Sequence, residues 1–271
     1  PYPVMADGVD GATVPIVQAG AFSKYLGHLV LEFDDAGEVV SASGDTILLD
    51  AGVVPDPDVV ARVAEMSGPI DELMAREVAQ IEGDIDGSRE NCRAGECQMG
   101  NLVADAMLDR VAGQGVTIAI QNGGGLRASI EGPEVTKGEV LTVLPFQNTL
   151  STFQVTGATI VAALENGVSQ VEEGAGRFPQ VAGMTFAFDP KAEAGSRVSD
   201  VMVGGAPIEA GKVYGVVSNN YVRNGGDGYK MFVDADNAYD FGPDLADVTA
   251  EYIAAQGQFK PYTDGRITVK E

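Results

Sequence analysis

β-branched and aromatic residues concentrate in three short runs near the start of the chain, as is typical of β-strands. The runs cover residues 14–19, 25–34 and 38–49, and Asp35-Ala36-Gly37 forms a turn between the last two. We therefore expect residues 1–54 to form a small β-meander that is a unit of its own.

The apolar positions after residue 55 recur at the spacing of a helix. The pair Gly68-Pro69 should interrupt this helix, and a second helical run should extend from Ile70 to about Ile81. Residues 55–90 are therefore predicted to be a largely helical connector.

Residues 91–271 mix helical and strand patterns without strict alternation. Helices are predicted at residues 98–112 and 244–255, and a short one after the capping sequence Thr136-Lys137-Gly138-Glu139. The predicted strands cover residues 116–121, 150–155, 184–189, 198–203 and 213–218. Because strands and helices do not alternate regularly, the pattern favours an α+β fold over a doubly wound sheet.

Composition limits the classes of partner. A hydrophobic content of 45% over 271 residues is enough for a core, and a net charge of -23 repels polyanions, so nucleic acid is not an expected partner. The sequence contains no apolar run of the length that a membrane span requires. Pro1-Tyr2-Pro3 does not resemble the start of a signal peptide, and we expect the chain to be part of a larger protein or a mature remnant.

His28 is the only histidine, and it lies inside a predicted strand, where a structural role is expected. A Ser-His-Asp triad elsewhere in the chain and a zinc site built from several His or Cys residues are therefore excluded. No loop has the spaced aspartates of a calcium site. We expect this chain to bind no metal by itself.

The only two cysteines, Cys92 and Cys97, flank a four-residue segment that contains Arg93. A disulfide across so short a loop would contribute only about 2 kcal/mol in the chain-entropy model, so its main effect would be to fix the shape that presents Arg93. The alternative is a pair of reduced cysteines, since this spacing is not common in metal sites. A bridge would indicate an oxidising compartment.

A Gly-rich segment, Asn122-Gly123-Gly124-Gly125-Leu126-Arg127, follows the apolar run at 116–121. Its glycines remove the side chains that would keep a ligand from the backbone N–H groups, so the loop could hold an anion or a sugar edge. Arg127 adds a cation at the end. Taken alone, such a segment is also common as a simple turn.

A second Gly-rich segment, residues 219–229, places Tyr221 six residues before Asp227. The ring offers a stacking surface for a base, and the carboxylate can accept hydrogen bonds from ribose hydroxyls. Phe146 offers another aromatic surface. The alternatives are a polar surface loop for this segment and a core position for Phe146.

Four segments in this order together resemble the C-terminal domain of the 5'-nucleotidase family, which includes the animal ecto-5'-nucleotidase and bacterial periplasmic UDP-sugar hydrolases. They are C-R-A-G-E-C-Q-M-G-N-L, N-G-G-G-L-R, V-L-P-F and N-G-G-D-G-Y. Upstream, residues 14–27 resemble the last strands of that family's metallophosphatase domain. The resemblance implies that residues 1–54 are the end of that domain and that residues 91–271 form the mixed-sheet nucleotide-binding domain.

The resemblance also implies roles for the residues that would hold the nucleoside. Phe146 and Tyr221 correspond to two aromatics on opposite faces of the base, although the family usually has Phe at the second position. Asp227 corresponds to the acid that binds the ribose.

The remaining correspondences concern the Gly-rich loop and the phosphate. Asn122 corresponds to an amide near the base, and Gly124 and Gly125 follow it in the substrate-binding loop. Arg93 and Arg127 correspond to the arginines that bind the substrate phosphate.

The family's two divalent metals and its catalytic Asp-His pair come from motifs upstream of the matched segment. The resemblance therefore implies that the partner of this chain is an N-terminal metallophosphatase domain and that the chain alone is inactive. Cys92 and Cys97 correspond to a short disulfide of the animal enzyme, which implies a periplasmic or secreted protein.

Several functions remain open at this point. The leading hypothesis is the nucleotide-binding part of a phosphohydrolase that releases nucleoside and phosphate. A different class is a stand-alone nucleoside- or nucleotide-binding module. UDP-sugar hydrolases, 2',3'-cyclic phosphodiesterases and sulfur-ester hydrolases share the fold. The two aromatics implied for the faces of a base, Phe146 and Tyr221, favour a nucleotide as the substrate.

Overall fold

The chain divides into two compact units, Pro1–Gly68 and Pro69–Glu271. We describe each unit by itself from a computed structural model, which covers residues 1–9 and 11–270.

The first unit contains two antiparallel strand pairs. Strand β1 (Val4–Asp7) pairs with β2 (Thr13–Ile16), and β3 (Tyr25–Phe33) pairs with β4 (Val39–Leu48). The strands predicted at 25–34 and 38–49 are confirmed. The meander is wrong, because β2 ends at Ile16 and pairs with β1, a strand that the sequence pattern did not reveal.

Helix α1 (Pro57–Met74) continues through Pro69, so the predicted interruption at Gly68-Pro69 is wrong. Proline removes one backbone donor from a helix and leaves one carbonyl without its partner. No residue of α1 is buried in this structure, so water can hydrate that carbonyl.

The second unit contains the remaining elements. Its strands are β5 (Glu77–Ile81), β6 (Val116–Asn122), β7 (Glu134–Thr136), β8 (Leu150–Thr156), β9 (Pro179–Ala182), β10 (Met184–Phe188), β11 (Val198–Val203), β12 (Ala206–Pro207), β13 (Val213–Asn219), β14 (Asp236–Tyr239), β15 (Gln258–Phe259) and β16 (Ile267–Val269). Its helices are α2 (Arg89–Cys92), α3 (Gln98–Arg110), α4 (Lys137–Val143), α5 (Gly157–Val168), α6 (Asn220–Arg223) and α7 (Leu245–Ala255).

Most predicted elements of this unit are confirmed to within one or two residues. The capping sequence forms as expected: Glu139 N donates to Thr136 Oγ1 at 3.2 Å, and Thr136 N donates to Glu139 Oε2 at 2.7 Å. Helix α5 and strand β9 are among the elements that were not predicted.

Strand β5 replaces the end of the predicted second helix. It pairs antiparallel with β7 and parallel with β15, and Ala79 and Ile81 are buried on alternate positions. Both partner strands are distant in sequence, so the apolar spacing of this segment alone could not reveal them. The helical part of the predicted connector, residues 55–90, therefore ends at Met74.

A five-stranded mixed sheet in the order β14-β8-β13-β6-β9 forms the centre of this unit. Strands β6 and β13 are parallel, and the other neighbouring pairs are antiparallel. A four-stranded sheet (β12-β11-β10-β16) and a three-stranded sheet (β15-β5-β7) accompany it. The α+β fold with mixed sheets is confirmed.

The five-stranded sheet separates two apolar clusters. Because successive side chains of a strand point to opposite faces, Ile118 and Ile120 of β6 enter one cluster while Ala119 enters the other. Helices α3, α4 and α7 contribute to the cluster with Ala119, and helix α5 and strand β10 contribute to the opposite one. The sheet is therefore covered on both faces, and its strand ends are the places where loops can form a site.

Candidate functional site

The ends of four central strands meet at one edge of the sheet. Strand β6 ends at Asn122 and its parallel neighbour β13 ends at Asn219, so both carboxyl ends lie at the same edge. The antiparallel strands β8 and β9 begin there, since Leu150 pairs with Asn219 and Pro179 pairs with Asn122. The loops next to these four strand ends are therefore neighbours.

These loops enclose a cleft of about 550 Å³, a volume typical of small-molecule sites. The residues that line it are Arg93, Asn122, Gly124, Gly125, Arg127, Phe146, Asn148, Gly176, Tyr221 and Asp227. The structure thus brings together all eight residues predicted to contact a ligand. Their roles in binding remain predictions.

The backbone N–H groups of Gly123 and Gly124 are not free to bind a ligand, contrary to the expectation that this loop could hold an anion. Gly123 N donates to Phe178 O and Gly124 N donates to Gly176 O, each at 2.7 Å. Glycine is needed for the close approach, because a Cβ on Gly124 would lie 2.8 Å from Gly176 Cα. The glycines therefore pack two loops together, and side chains supply most of the cleft's hydrogen-bonding groups.

The loop that carries Arg93 is closed by a disulfide between Cys92 and Cys97, as predicted. Gln180, a fully buried residue of β9, forms hydrogen bonds with the backbone of the same loop. Its Nε2 donates to Cys92 O at 3.0 Å and to Gly95 O at 2.7 Å, and its Oε1 accepts from Cys97 N at 3.3 Å. The bridge and Gln180 together fix the backbone at Arg93.

Removing the disulfide should destabilise the protein modestly. The double substitution Cys92→Ala and Cys97→Ala is expected to lower the free energy of unfolding by about 2 kcal/mol, because the cross-linked loop is short. Urea unfolding of both proteins measures this loss. Thiol titration of the denatured, unreduced native chain should find no free thiol, and two free thiols would contradict the bridge.

The cleft concentrates positive charge in a strongly acidic chain. Arg93 is 7% exposed and its Nη1 donates to Gly174 O at 3.3 Å, whereas its Nε is buried without a hydrogen-bond partner among the described residues. Burial lowers the pKa of Arg93, and the charges of Arg89 and Arg127 lower it further. This arrangement suits an anion, because a bound anion would satisfy the buried donor and relieve the repulsion.

Arg127 and Phe146 are in contact across the cleft lining. The Arg127 guanidinium lies 5.7 Å from the centroid of the Phe146 ring, a cation–π arrangement. Its Nη1 also donates to Gly124 O at 3.4 Å. The Phe146 side chain is exposed, so the alternative of a core position for it is wrong.

Tyr221 and Asp227 form a second polar group in the cleft. The Tyr221 hydroxyl donates to Asp227 Oδ1 at 3.0 Å, and Asn122 Nδ2 donates to Asp227 Oδ2 at 2.7 Å. Asp227 has a left-handed backbone with φ of 51°, which Asp tolerates better than most residues. Both carboxylate oxygens are thereby held in one orientation toward the cleft.

The sequence prediction missed three residues at this site. Asn148 and Gly176 line the cleft, and Arg89 contributes the charge described above. Asn148 follows Phe146 by two positions, and Arg89 precedes Arg93 by one helical turn, so both could have been found from their neighbours. Nothing local indicates Gly176, whose place depends on the pairing of β9 with β6.

Within residues 1–9 and 11–270, no group of three or more His, Cys, Asp or Glu side chains is placed to hold a metal ion. None of the helices in that part of the chain is long and apolar enough to cross a membrane.

The fold and the cleft define a ligand-binding domain with aromatic, acidic and cationic groups at one sheet edge. A family model described as "5'-nucleotidase, C-terminal domain" matches residues 77–234. The human 5'-nucleotidase is 34% identical over 98% of this chain and 50% of its own length. The chain belongs to the 5'-nucleotidase family.

Solved structures agree with this assignment. The structure of a 5'-nucleotidase precursor from Thermus thermophilus matches with a TM-score of 0.75 and 38% identity, over 99% of this chain and 54% of that one. A putative 5'-nucleotidase from Staphylococcus aureus has a TM-score of 0.78 at 19% identity, over 95% of this chain and 52% of that one, and supports the fold alone. The chain spans about half the length of the relatives that it matches.

Proposed function

We propose that the cleft binds the nucleotide substrate of a 5'-nucleotidase-type phosphohydrolase, which releases a nucleoside and phosphate. The observation that carries this proposal is the convergence of two aromatic rings, one carboxylate and two arginines around a single cleft. The similarity to the human 5'-nucleotidase supports the same function.

Each part of a nucleotide has a matching group in the cleft. The rings of Phe146 and Tyr221, both about half exposed, offer apolar faces for a base. Asp227 can accept hydrogen bonds from ribose hydroxyls, and Arg93 and Arg127 can counter the charge of a phosphate. The Nε of Arg93 is buried and has no hydrogen-bond partner in the part of the chain that the structure describes, which supports the assignment of a phosphate to this end.

The lining residues do not fit the two divalent metals that we expect in the intact enzyme. Asp227 is the one carboxylate among them, and Asn122 and Tyr221 already donate to its oxygens. Hard divalent cations need several oxygen ligands, so the metals would have to be bound by another domain, the N-terminal metallophosphatase domain. In this chain the arginines orient the phosphate and stabilise its charge.

Asp227→Ala should weaken ribonucleoside binding more than binding of the free base. Only the nucleoside offers the hydroxyls that the carboxylate accepts, so we expect adenosine to lose about tenfold in affinity and adenine to lose much less. Calorimetry or ligand-observed NMR with both ligands measures this difference. The matched control is Asp234→Ala, because Asp234 is an exposed acid outside the cleft. This control variant should bind both ligands with the affinity of the native chain.

The same proteins test the proposed function as a whole. The native chain should bind adenosine at high micromolar to millimolar concentrations, since a nucleoside offers no phosphate for Arg93 and Arg127 to bind. It should not hydrolyse AMP with added Mn, Zn or Mg. Absence of any nucleoside or nucleotide binding would contradict the proposal, and robust hydrolysis would contradict the need for a second domain. A stand-alone binding module would bind adenosine but would not contribute to AMP hydrolysis when joined to a metallophosphatase domain.

We also propose a periplasmic or secreted location for the protein. Its disulfide supports this location, because such bridges persist in oxidising compartments.

A further inference from the structure

The hydroxyl group of Tyr221 has a defined place in the cleft. It accepts a hydrogen bond from Asp227 N at 3.2 Å and donates to Asp227 Oδ1 at 3.0 Å. Because the backbone N–H occupies a lone pair of the hydroxyl oxygen, its single proton is directed to the carboxylate. The side chain thus contacts the acid as well as offering a ring to the cleft.

A buried chain of amides connects the other side of the same acid to the helix that carries Tyr221. Asn122 donates from Nδ2 to Asp227 Oδ2 at 2.7 Å, and its Oδ1 accepts from Asn219 Nδ2 at 2.9 Å. Asn219 is fully buried, and its Oδ1 accepts from Val222 N at 2.9 Å, which caps the start of α6. These hydrogen bonds, together with the peptide bond between Tyr221 and Val222, form a closed network that includes Tyr221, Asp227, Asn122 and Asn219.

This hydrogen-bonded network leaves the Asp227 carboxylate with two acceptor sites for a ligand. An ionised carboxylate offers about four lone-pair sites, two on each oxygen. Tyr221 takes one site on Oδ1 and Asn122 takes one on Oδ2, so one site remains on each oxygen. Two neighbouring acceptors in fixed positions match two neighbouring hydroxyls, as in the 2',3'-diol of a ribose.

The stacking surface itself does not need the hydroxyl. A phenylalanine ring would offer the same face to a base. Gly226 leaves room for that ring, since a Cβ on Gly226 would lie 2.5 to 2.6 Å from three Tyr221 ring carbons. The hydroxyl is therefore a separate feature whose described contacts are both with Asp227.

We propose that the Tyr221 hydroxyl is a positioning group that holds Asp227 for a vicinal ribose diol and so makes the site select ribonucleosides over deoxyribonucleosides. This inference rests on the proposed function, because it assumes that a nucleoside occupies the cleft. Burial and the hydrogen bond to Asp227 raise the pKa of Tyr221, so the hydroxyl keeps its proton at neutral pH.

Tyr221→Phe in the full chain tests the proposal with adenosine and 2',3'-dideoxyadenosine, by ligand-observed NMR titration. The variant keeps the ring but frees one oxygen of Asp227, so adenosine should bind about fivefold more weakly. Dideoxyadenosine, which offers no diol, should bind within about twofold of its native affinity, and this also shows that the variant is folded. Tyr239→Phe is the matched control, because Tyr239 is an exposed tyrosine outside the cleft. It should leave both affinities unchanged.

The ratio of the two dissociation constants decides the outcome. If Tyr221→Phe keeps the native ratio of the dissociation constants for dideoxyadenosine and adenosine, the inference is overturned and the proposed function stays intact. An equal loss of affinity for both ligands keeps that ratio and is such an outcome. If the native chain binds neither nucleoside, the proposed function fails and this inference fails with it.

Discussion

Tyr221→Ala is expected to weaken adenosine binding by about 5- to 150-fold, the largest effect of any single cleft substitution. The alanine removes a half-exposed ring, and stacking of a base on an aromatic side chain contributes about 1 to 3 kcal/mol. It also removes the hydroxyl that donates to Asp227, so the acid loses one of its two side-chain partners. The loss should therefore exceed that of Tyr221→Phe.

Calorimetric titration with adenosine measures this effect. Tyr239→Ala is the matched control, because its exposed ring contacts Phe241 outside the cleft and its removal should not change adenosine affinity. Equal adenosine binding by the native chain and by Tyr221→Ala would show that the base does not stack on this ring.

Arg266→Met should cause a large loss of stability, about 3 to 5 kcal/mol of the free energy of unfolding. Arg266 is 7% exposed, and its guanidinium donates to Asp105 Oδ1 at 2.9 Å and to Val181 O at 3.0 Å. Asp264 accepts two further bonds from it, at 2.9 and 2.8 Å. Burial lowers the pKa of Arg266. The carboxylates of Asp264 and Asp105 raise it by more, so the pKa lies above the ordinary value of an arginine. The substitution would leave Asp105 partly buried without a cation.

Arg110→Met provides the comparison, since Arg110 forms an ion pair with Glu251, whose side chain is 66% exposed. Exposed pairs contribute about 0 to 1 kcal/mol, so this variant should remain close to the native chain. Urea unfolding followed by circular dichroism measures all three proteins. Equal losses for the two variants would show that burial of Arg266 has no special effect.

The elements that the sequence predicted well have local causes. The capping box at Thr136 and Glu139 lies within four residues, and strand β6 follows from an unbroken apolar run. The candidate site residues were found because they lie in short motifs that together resemble those of the 5'-nucleotidase family. All five strands predicted in the second unit are present, and each was recognised from a local apolar pattern.

Two of the errors have a different cause, which is pairing between distant segments. Residues 77–81 form a strand because β7 and β15 lie beside them, and neither partner is near in sequence. The amides of Gly123 and Gly124 bind carbonyls of the loop before β9, so they are not free for an anion. Strand β2 is a different case, because its partner β1 lies close before it in the sequence and was not recognised from the pattern.

The sequence by itself determined the residue types of the cleft and the family resemblance. It also determined the boundaries of elements with a strong local pattern, such as β6 and α4, because these depend on contacts between near neighbours. Only the tertiary structure decided how the cleft is built. The parallel pairing of β6 and β13 brings Asn122 and Tyr221 to one edge, and the antiparallel start of β9 adds Gly176. The bond from the Tyr221 hydroxyl to Asp227 likewise depends on side-chain orientation, which spacing along a chain does not specify.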